Sequence, residues 1–293
     1  MLSKLYQMKG IILAGGTGSR LWPSTISVSK QLIPIYDKPL IYYPLSTLML
    51  AGIRDILIIT TPSDQEVFRR LLDDGNSLGM KLSYIVQEKP EGLAQAFIIG
   101  EDFIDKNDVA LILGDNIFHG NGLGRDLAKC TIPNGAIIFG YEVNDPQRYG
   151  VAEIDDAGHV ISIEEKPQSP KSNLAIPGLY FFDASVSEKA KKVKKSKRGE
   201  LEITSVLEMY RSDTKLKLQV LPRGTAWMDC GTVDSLNDAC NYMRVIEERQ
   251  GFKVGSIEEI AWRNNWISKS EIHELARLYG GNEYGEYLKR LVK

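Results

Sequence analysis

The sequence predicts an α/β protein: a largely parallel sheet with helices on both faces, a smaller and more antiparallel β-rich lobe, and a helical C-terminal appendage. Three observations predict it. Through residues 10–113, short runs that are apolar on both faces alternate with stretches of helical period, the pattern of parallel strands buried between helices. From 131 to 182 the runs change to strand-length segments joined by turn residues. After Gly231 the pattern is helical.

Taken in order, the fold is expected to start near Met8, with residues 1–7 an extension or tag ahead of it. Strands are expected at 10–13, 56–60, 82–86 and 109–113, each short and apolar. Helices are expected between them at about 40–51, 64–73 and 92–101. In the first of these, Leu45, Leu48 and Met49 recur at helical spacing and Gly52 closes the element. The β-rich lobe is expected to hold strands at 136–141, 151–154, 160–164 and 178–182, with the turn Asp155-Asp156-Ala157-Gly158 joining two of them as a hairpin. Helices at 237–251, 256–264 and 268–278 complete the chain, packed on the core or on a neighbouring subunit.

With 293 residues the chain can bury a large core. A net charge of −2 gives no electrostatic case for nucleic acid or membrane as a partner. The one basic run, 189–198 (KAKKVKKSKR), reads as the solvated face of a helix, with room for a phosphate contact at its end. No stretch approaches the roughly 20 apolar residues of a membrane span. Cys130, Cys230 and Cys240 are odd in number and lack metal-type spacing, which suggests free thiols in a reducing cytoplasm. His119, His159 and His273 are far apart and form no ligand pair.

The richest stretch is AGGTGSRLWPSTISVSKQ, from Ala14 to Gln31, directly after the first expected strand. Gly15, Gly16 and Gly18 let backbone N–H groups approach a ligand without side-chain obstruction, which suits an oligophosphate. Arg20 and Lys30 follow and can neutralise phosphates. A glycine-rich turn with two solvated cations is the plainer reading of the loop by itself. Neither the G-x-x-x-x-G-K-[ST] phosphate loop nor the G-x-G-x-x-G dinucleotide fingerprint fits, which disfavours a nicotinamide dehydrogenase.

Asp115 lies just past the apolar run 109–113, at the strand edge where parallel sheets bind ligands, and Asp229 ends another short apolar run. Mg²⁺ on a triphosphate takes one or two carboxylates plus phosphates and water, so two aspartates from distant strands make a sensible site. A capping aspartate in a turn is the alternative. Lys166, in IEEKP, is expected to have an extended backbone because Pro167 follows it, placing Glu165 and Lys166 on alternate faces of a strand end. There the lysine can hold a phosphate and the glutamate can accept from sugar hydroxyls; an ordinary surface ion pair is the rival. Gln31 and Gln87 carry both donors and acceptors, as reading a pyrimidine edge requires.

With these residues in place, the chain resembles the sugar-1-phosphate nucleotidylyltransferases from Met8 to about Leu288. The motifs that carry the resemblance are KGIILAGGTGSRL, SKQLIPIYDKPLIYYPLSTLMLAGI, GLAQAFIIG, LILGDNIFHG, NDPQRYGV and EEKPQSPKSN; RGELEIT and IEERQGFKV favour the thymidylyl branch. The resemblance implies a Rossmann-like mixed sheet of the GT-A-like nucleotidyltransferase type, with a core at 8–232. The nucleotide half of that core would be about 8–125 and the sugar-phosphate half about 126–232, with subunit contacts in 233–293. It implies a Mg²⁺-dependent transfer from dTTP to glucose 1-phosphate by in-line attack, with no general base.

By position, Gly15, Gly16, Thr17 and Gly18 would wrap the nucleotide, Arg20 the β/γ-phosphates and Lys30 the region of the α-phosphorus. Gln31, Gln87 and Gly92 would read the base, and Asp115 and Asp229 would hold Mg²⁺. Lys166 and Arg198 would hold the sugar phosphate, with Gly150, Glu165 and Ile176 lining the sugar. The resemblance further implies a cytoplasmic homotetramer with feedback by a dTDP-sugar at 237–278, and no nucleic-acid or membrane partner. Competing readings are a sister enzyme using UTP or CTP and a non-catalytic nucleotide-sugar-binding protein. Cys230, beside Asp229, is expected to make turnover sensitive to thiol alkylation.

Overall fold

The computed structural model describes residues 8–293; residues 1–7, expected to precede the fold, lie outside the described residues. The first half delivers the anticipated parallel strands within a residue at each end: β1 (Lys9–Ala14), β4 (Asp55–Thr60), β5 (Lys81–Val86) and β6 (Val109–Leu113). They pair in parallel, β6 and β4 flanking β1, and β5 at the edge. Short antiparallel strands β2 (Pro34–Ile35) and β3 (Lys38–Pro39) form a hairpin outside this sheet.

The β-rich segment continues the same sheet. β8 (Ala136–Glu142), β9 (Gly150–Ile154), β10 (Val160–Glu165), β11 (Leu174–Ala175) and β12 (Leu179–Phe182) join through antiparallel β12, which pairs β6 on one side and β8 on the other. The result is one mixed ten-stranded sheet ordered β10-β9-β11-β8-β12-β6-β1-β4-β5, with β13 (Leu216–Val220) parallel to β8. The hairpin at 155–158 forms as expected, with Gly158 N donating to Asp155 O at 2.9 Å and Gly158 at φ +83°.

Helices cover both faces. On one lie α1 (Tyr42–Leu50), α2 (Gln65–Leu72) and α5 (Leu123–Ala128); on the other lie α3 (Gln95–Ile99), α4 (Glu101–Ile104), α6 (Val186–Lys192) and α7 (Ile203–Ser212). β1 shows why the sheet needs both: Ile12 packs into the first layer and Ile11 into the second, and neither is exposed. Each such side chain contributes about 1.5–3 kcal/mol by leaving water. The helix expected at 92–101 is divided at Gly100, where a Cβ would stand 2.9 Å from Ala96 O.

The basic run differs from its reading as a helix face. α6 ends at Lys192, and the residues after it run irregularly. Charges of the run are tied to neighbours on both sides of that end: Lys191 of α6 to Glu101, then Lys195 to Glu91 and Arg198 to three glutamates. The C-terminal region holds four helices, one more than expected: α8 (Val233–Gln250), α9 (Ile257–Arg263), α10 (Lys269–Leu278) and α11 (Glu283–Leu291). The fourth starts at Asn282, whose side chain accepts from Gly285 N at 2.8 Å.

Candidate active site

The site grows from the carboxyl end of β6. Past Leu113 the chain turns at Gly114, whose N–H donates to Leu13 O at 2.9 Å, and presents Asp115 beyond the sheet edge. It then enters β7 (Asn116–His119), which leaves the sheet to pair antiparallel with β14 (Ala226–Asp229). In that ladder Asp229 stands opposite Asn116, and Cys230 N donates to Asp115 O at 2.9 Å. Two aspartates distant in sequence thus reach one place through a pair of four-residue strands.

Asn116 locks the corner. Its Nδ2 donates to Asp115 Oδ1 at 2.9 Å, while its Oδ1 accepts from Trp227 Nε1 at 2.7 Å and Gly178 N at 3.0 Å. The Lys30 ammonium pairs with Asp115 Oδ2. Burial pushes the Asp115 carboxyl up, but Lys30 and the Asn116 amide outweigh it and hold the group below the usual carboxylate range. Asp229 goes the other way. Burial pushes it up and the nearby Asp115 charge adds to that, against the Tyr149 hydroxyl at 3.0 Å and Arg148 at 3.5 Å; the balance is a raised pKa.

Both aspartates line a cavity of about 360 Å³ together with Arg20, Gly150, Glu165, Lys166 and Ile176. Among the described residues neither the Arg20 guanidinium nor the Lys166 ammonium has an ion-pair partner there. Burial and the Glu202 charge raise the Glu165 carboxyl, against Lys166 and Arg198. A second cleft, about 690 Å³, is lined by Gly15, Gly16, Thr17 and Gln87. The loop therefore runs from this cleft to Arg20 in the first. Gly18, at φ +63°, makes the bend, and Thr25 Oγ1 donates to its carbonyl at 2.7 Å. A Cβ on Gly15 would fall 2.1 Å from Gln87 Oε1, so the Gln87 amide can lie against the loop only because position 15 carries no side chain.

Some expected residues stand elsewhere. Gln31 lines neither cleft: it is 3% exposed, accepts from Ser29 Oγ at 2.7 Å and packs against Gly114. Gly92 also lines neither, and it joins two segments. At φ +113° it lies so close to Leu201 that a Cβ would come within 2.5 Å of that residue's N and O. Leu201 N donates to Glu91 O at 2.6 Å beside it. Arg198 is outside the cavity wall, held by Glu165 at 3.4 Å, Glu200 at 3.3 Å and Glu202 at 3.5 Å.

Two expectations are overturned. Lys166 is not extended: its φ is +44°, in the left-handed region that non-glycine residues avoid, and its N–H donates to Tyr149 O at 3.0 Å. That bond turns the chain out of β10 after Glu165, overriding the preference set by Pro167. Cys230 is not an alkylation target, being fully buried among Ile35, Leu40 and Met243, with burial raising its thiol pKa.

Tyr149, Arg148, Asn116, Trp227, Tyr180 and Thr204 also line the cavity and were not assigned from the residues. One signal was available for Trp227: two positions before Asp229 on a strand, it shares that residue's face. Arg148 ends a 3₁₀ turn and Tyr149 follows it, with no periodicity to mark either. His119 lies away from the cavity wall and hydrogen-bonds Tyr242 Oη at 2.8 Å.

Comparison with known proteins agrees with this architecture. The chain is 56% identical to a Mycolicibacterium smegmatis protein named glucose-1-phosphate thymidylyltransferase, over 97% of this chain and 99% of that one. A Neisseria meningitidis protein of the same name is 53% identical over 98% of this chain and all of its own length. Among solved structures, a Bacillus anthracis chain in complex with a sucrose superposes with a TM-score of 0.75 at 40% identity, covering 81% of this chain and 95% of that one. A UDP-glucose pyrophosphorylase complexed with UDP-glucose gives 0.72 at 25% identity, covering 82% and 99%. The family model described as nucleotidyl transferase matches residues 9–244, which takes in the glycine loop, both aspartates and the cavity between them: the chain belongs to the nucleotidyl transferase family.

Proposed function

We propose that the protein transfers a thymidylyl group from dTTP to α-D-glucose 1-phosphate, giving dTDP-glucose and pyrophosphate, with Mg²⁺ as the cofactor. The observation that carries this reading is a cavity with two aspartates and two unpaired cations, on a chain with more than half its residues identical to proteins named for that reaction. A phosphate oxygen of the sugar phosphate attacks the α-phosphorus in line. The new P–O bond forms as the bond to the bridging α–β oxygen breaks, and that oxygen leaves with pyrophosphate. The nucleophile is already an anion near neutral pH, so no residue is needed to remove a proton.

What the reaction needs is two polyanions held together, and like-charge repulsion in a partly desolvated site costs several kcal/mol unless it is offset. Gly15, Gly16, Thr17 and Gly18 would hold the nucleotide in the larger cleft, with Gln87 toward the base; Gln31 and Gly92 would shape that end from behind. Arg20 would hold the departing phosphates, Lys30 the α-phosphate, and Lys166 the sugar phosphate, with Arg198 supporting it. Gly150, Glu165 and Ile176 would face the sugar.

Asp115 and Asp229 offer hard oxygen donors on one cavity wall, which fits Mg²⁺. Among the described residues no group of three or more His, Cys, Asp or Glu side chains is placed to hold a metal ion by itself, so phosphates and water would complete the coordination. When bound, the ion supplies charge neutralisation on the phosphates. We further propose a cytoplasmic homotetramer with feedback by a dTDP-sugar at 237–278, at the first step of dTDP-sugar synthesis.

The test is pyrophosphate release with glucose 1-phosphate and Mg²⁺, run with dTTP, UTP, CTP, ATP and GTP in parallel. Preference for dTTP supports the reading. Preference for UTP, which shares its uridine with the UDP-glucose bound to the 25%-identical structural relative, would keep the chemistry and move the substrate.

A further inference from the structure

Away from the cavity, four buried or half-buried charges close a ring. Lys38 Nζ donates to Glu247 Oε1 at 2.8 Å and also pairs with Asp37; Lys253 pairs with the other Asp37 oxygen and lies 3.3 Å from Glu247 Oε2. Val254 N adds a bond to Glu247 Oε1 at 2.9 Å. The Lys38 and Glu247 side chains are only 2% and 3% exposed. Apolar residues of similar shape commonly serve stability as well as such a buried ion pair does, so stability alone gives little reason for the ring. Fixed geometry gives a better one.

The ring stands where two rigid arms meet. One arm starts at Lys30 and runs through the β2–β3 hairpin. It is stiffened by Ile41 N to Gln31 O at 2.8 Å, Leu40 N to Ile33 O at 3.0 Å and Tyr43 Oη to Ile35 O at 2.9 Å. The other starts at Asp229 and becomes α8, opened by a capping box between Thr232 and Ser235 and continuous to Gln250. At their near ends the arms are joined through Asp115, which pairs with Lys30 and accepts from Cys230 N at 2.9 Å. At their far ends they are joined by Lys38 and Glu247. The space between them is packed with Ile35, Leu40, Ile117, Ala239 and Met243.

We propose that Lys38 and Glu247 are positioning residues for the nucleotide end of the active site. They brace the segment that carries Lys30 against the segment that carries Asp229 and thereby hold the spacing between that cation and that carboxylate. This rests on the functional reading above for its consequence in turnover, but not for its geometry. A loosened brace misplaces the phosphate-holding groups and leaves the sugar side, built from β9, β10 and α7, where it is.

The experiment compares Glu247→Gln with Glu259→Gln. Glu259 is a similarly buried carboxylate, bound to Tyr287 and Arg263 and not to the hairpin. Both variants are first checked by thermal melting to be folded at the assay temperature. For Glu247→Gln, amide hydrogen exchange should quicken in peptides covering both 30–41 and 229–236. The KM for dTTP should rise roughly tenfold, while that for glucose 1-phosphate stays within about twofold. Glu259→Gln should lower the melting temperature and leave both peptides unchanged.

Lys38→Arg, which keeps the charge but moves it, should shift the same readouts less; it carries the test if Glu247→Gln does not fold. Exchange that quickens only within 240–255, or an unchanged KM for dTTP, overturns the brace. If the wild-type protein releases no pyrophosphate at all, the functional reading falls, and the exchange pattern alone decides the brace.

Discussion

The two sides of the site each place one free cation on the cavity wall and hold a second behind it with carboxylates, but they hold that second cation in different ways. On the β1 side Arg20 is free and Lys30 is paired with a single carboxylate, with 10% and 19% of the two side chains exposed. On the β9–β10 side Lys166 is free, while Arg198, 40% exposed, is shared among three glutamates at 3.3–3.5 Å. A buried one-to-one pair is preorganised and costly to break, whereas an exposed shared cation can move at little cost. On the proposed function, the nucleotide side is therefore set before substrate arrives, and the sugar side finishes setting around its ligand.

The largest expected effect tests the preorganised side. Asp115→Asn and Asp229→Asn should each lower kcat/KM for dTTP by a factor on the order of 10³ in a pyrophosphate-release assay. Their effects on stability should have opposite signs. Asp115 has a depressed pKa, so its charged form stabilises the fold above its unfolded pKa, and that contribution is lost as pH falls through the folded value. Removing it strands Lys30 and should cost about 3 kcal/mol in denaturant unfolding at pH 7.

Asp229 has a raised pKa, so its contribution is present at acid pH and lost as pH rises through the folded value. At pH 7 its replacement should leave the fold as stable or more so. Activity should also fall on acidification as Asp229 protonates, ahead of Asp115. If both variants lose stability alike at pH 7, the contrast between the two carboxylates is broken.

A smaller effect compares the free and the shared cation. Lys166→Met should lower kcat/KM for glucose 1-phosphate roughly 100-fold, and Arg198→Gln only about tenfold, chiefly through KM. A larger loss from Arg198→Gln than from Lys166→Met would reverse the proposed order of importance. The smallest expected effect is that of Gly15→Ala. The new methyl meets the end of a flexible side chain, so the Gln87 amide swings aside. The KM for dTTP should rise by less than about tenfold, with little change in melting temperature.

The parallel half was legible because β1, β4 and β6 are apolar on both faces and stand apart from their helices, so composition alone marks them. The positions just past those strands, the glycine loop and Asp115, followed from the same pattern. The pairing of β7 with β14 was not legible: each is four residues long, and nothing local links segments so far apart. The Lys166 backbone was misread because a tertiary bond to Tyr149 overrides the local rule for a residue before proline. α11 was missed because its stretch is polar and interrupted by Gly285, and its capping residue follows two glycines that read as a tail.

The β7–β14 ladder also sets when the protein can begin to work. Because one cavity-lining aspartate is at position 115 and the other at 229, no amino-terminal fragment ending before β14 can bring the two carboxylates together. At the usual pace of about 5–20 residues per second, the ribosome needs on the order of tens of seconds to reach that point. A nascent chain can therefore have β1, β4, β5 and β6 paired, and its glycine loop folded, well before it has a catalyst's charge arrangement. Competence arrives late in synthesis, with a contact of long sequence separation, and not with the folding of the first strands.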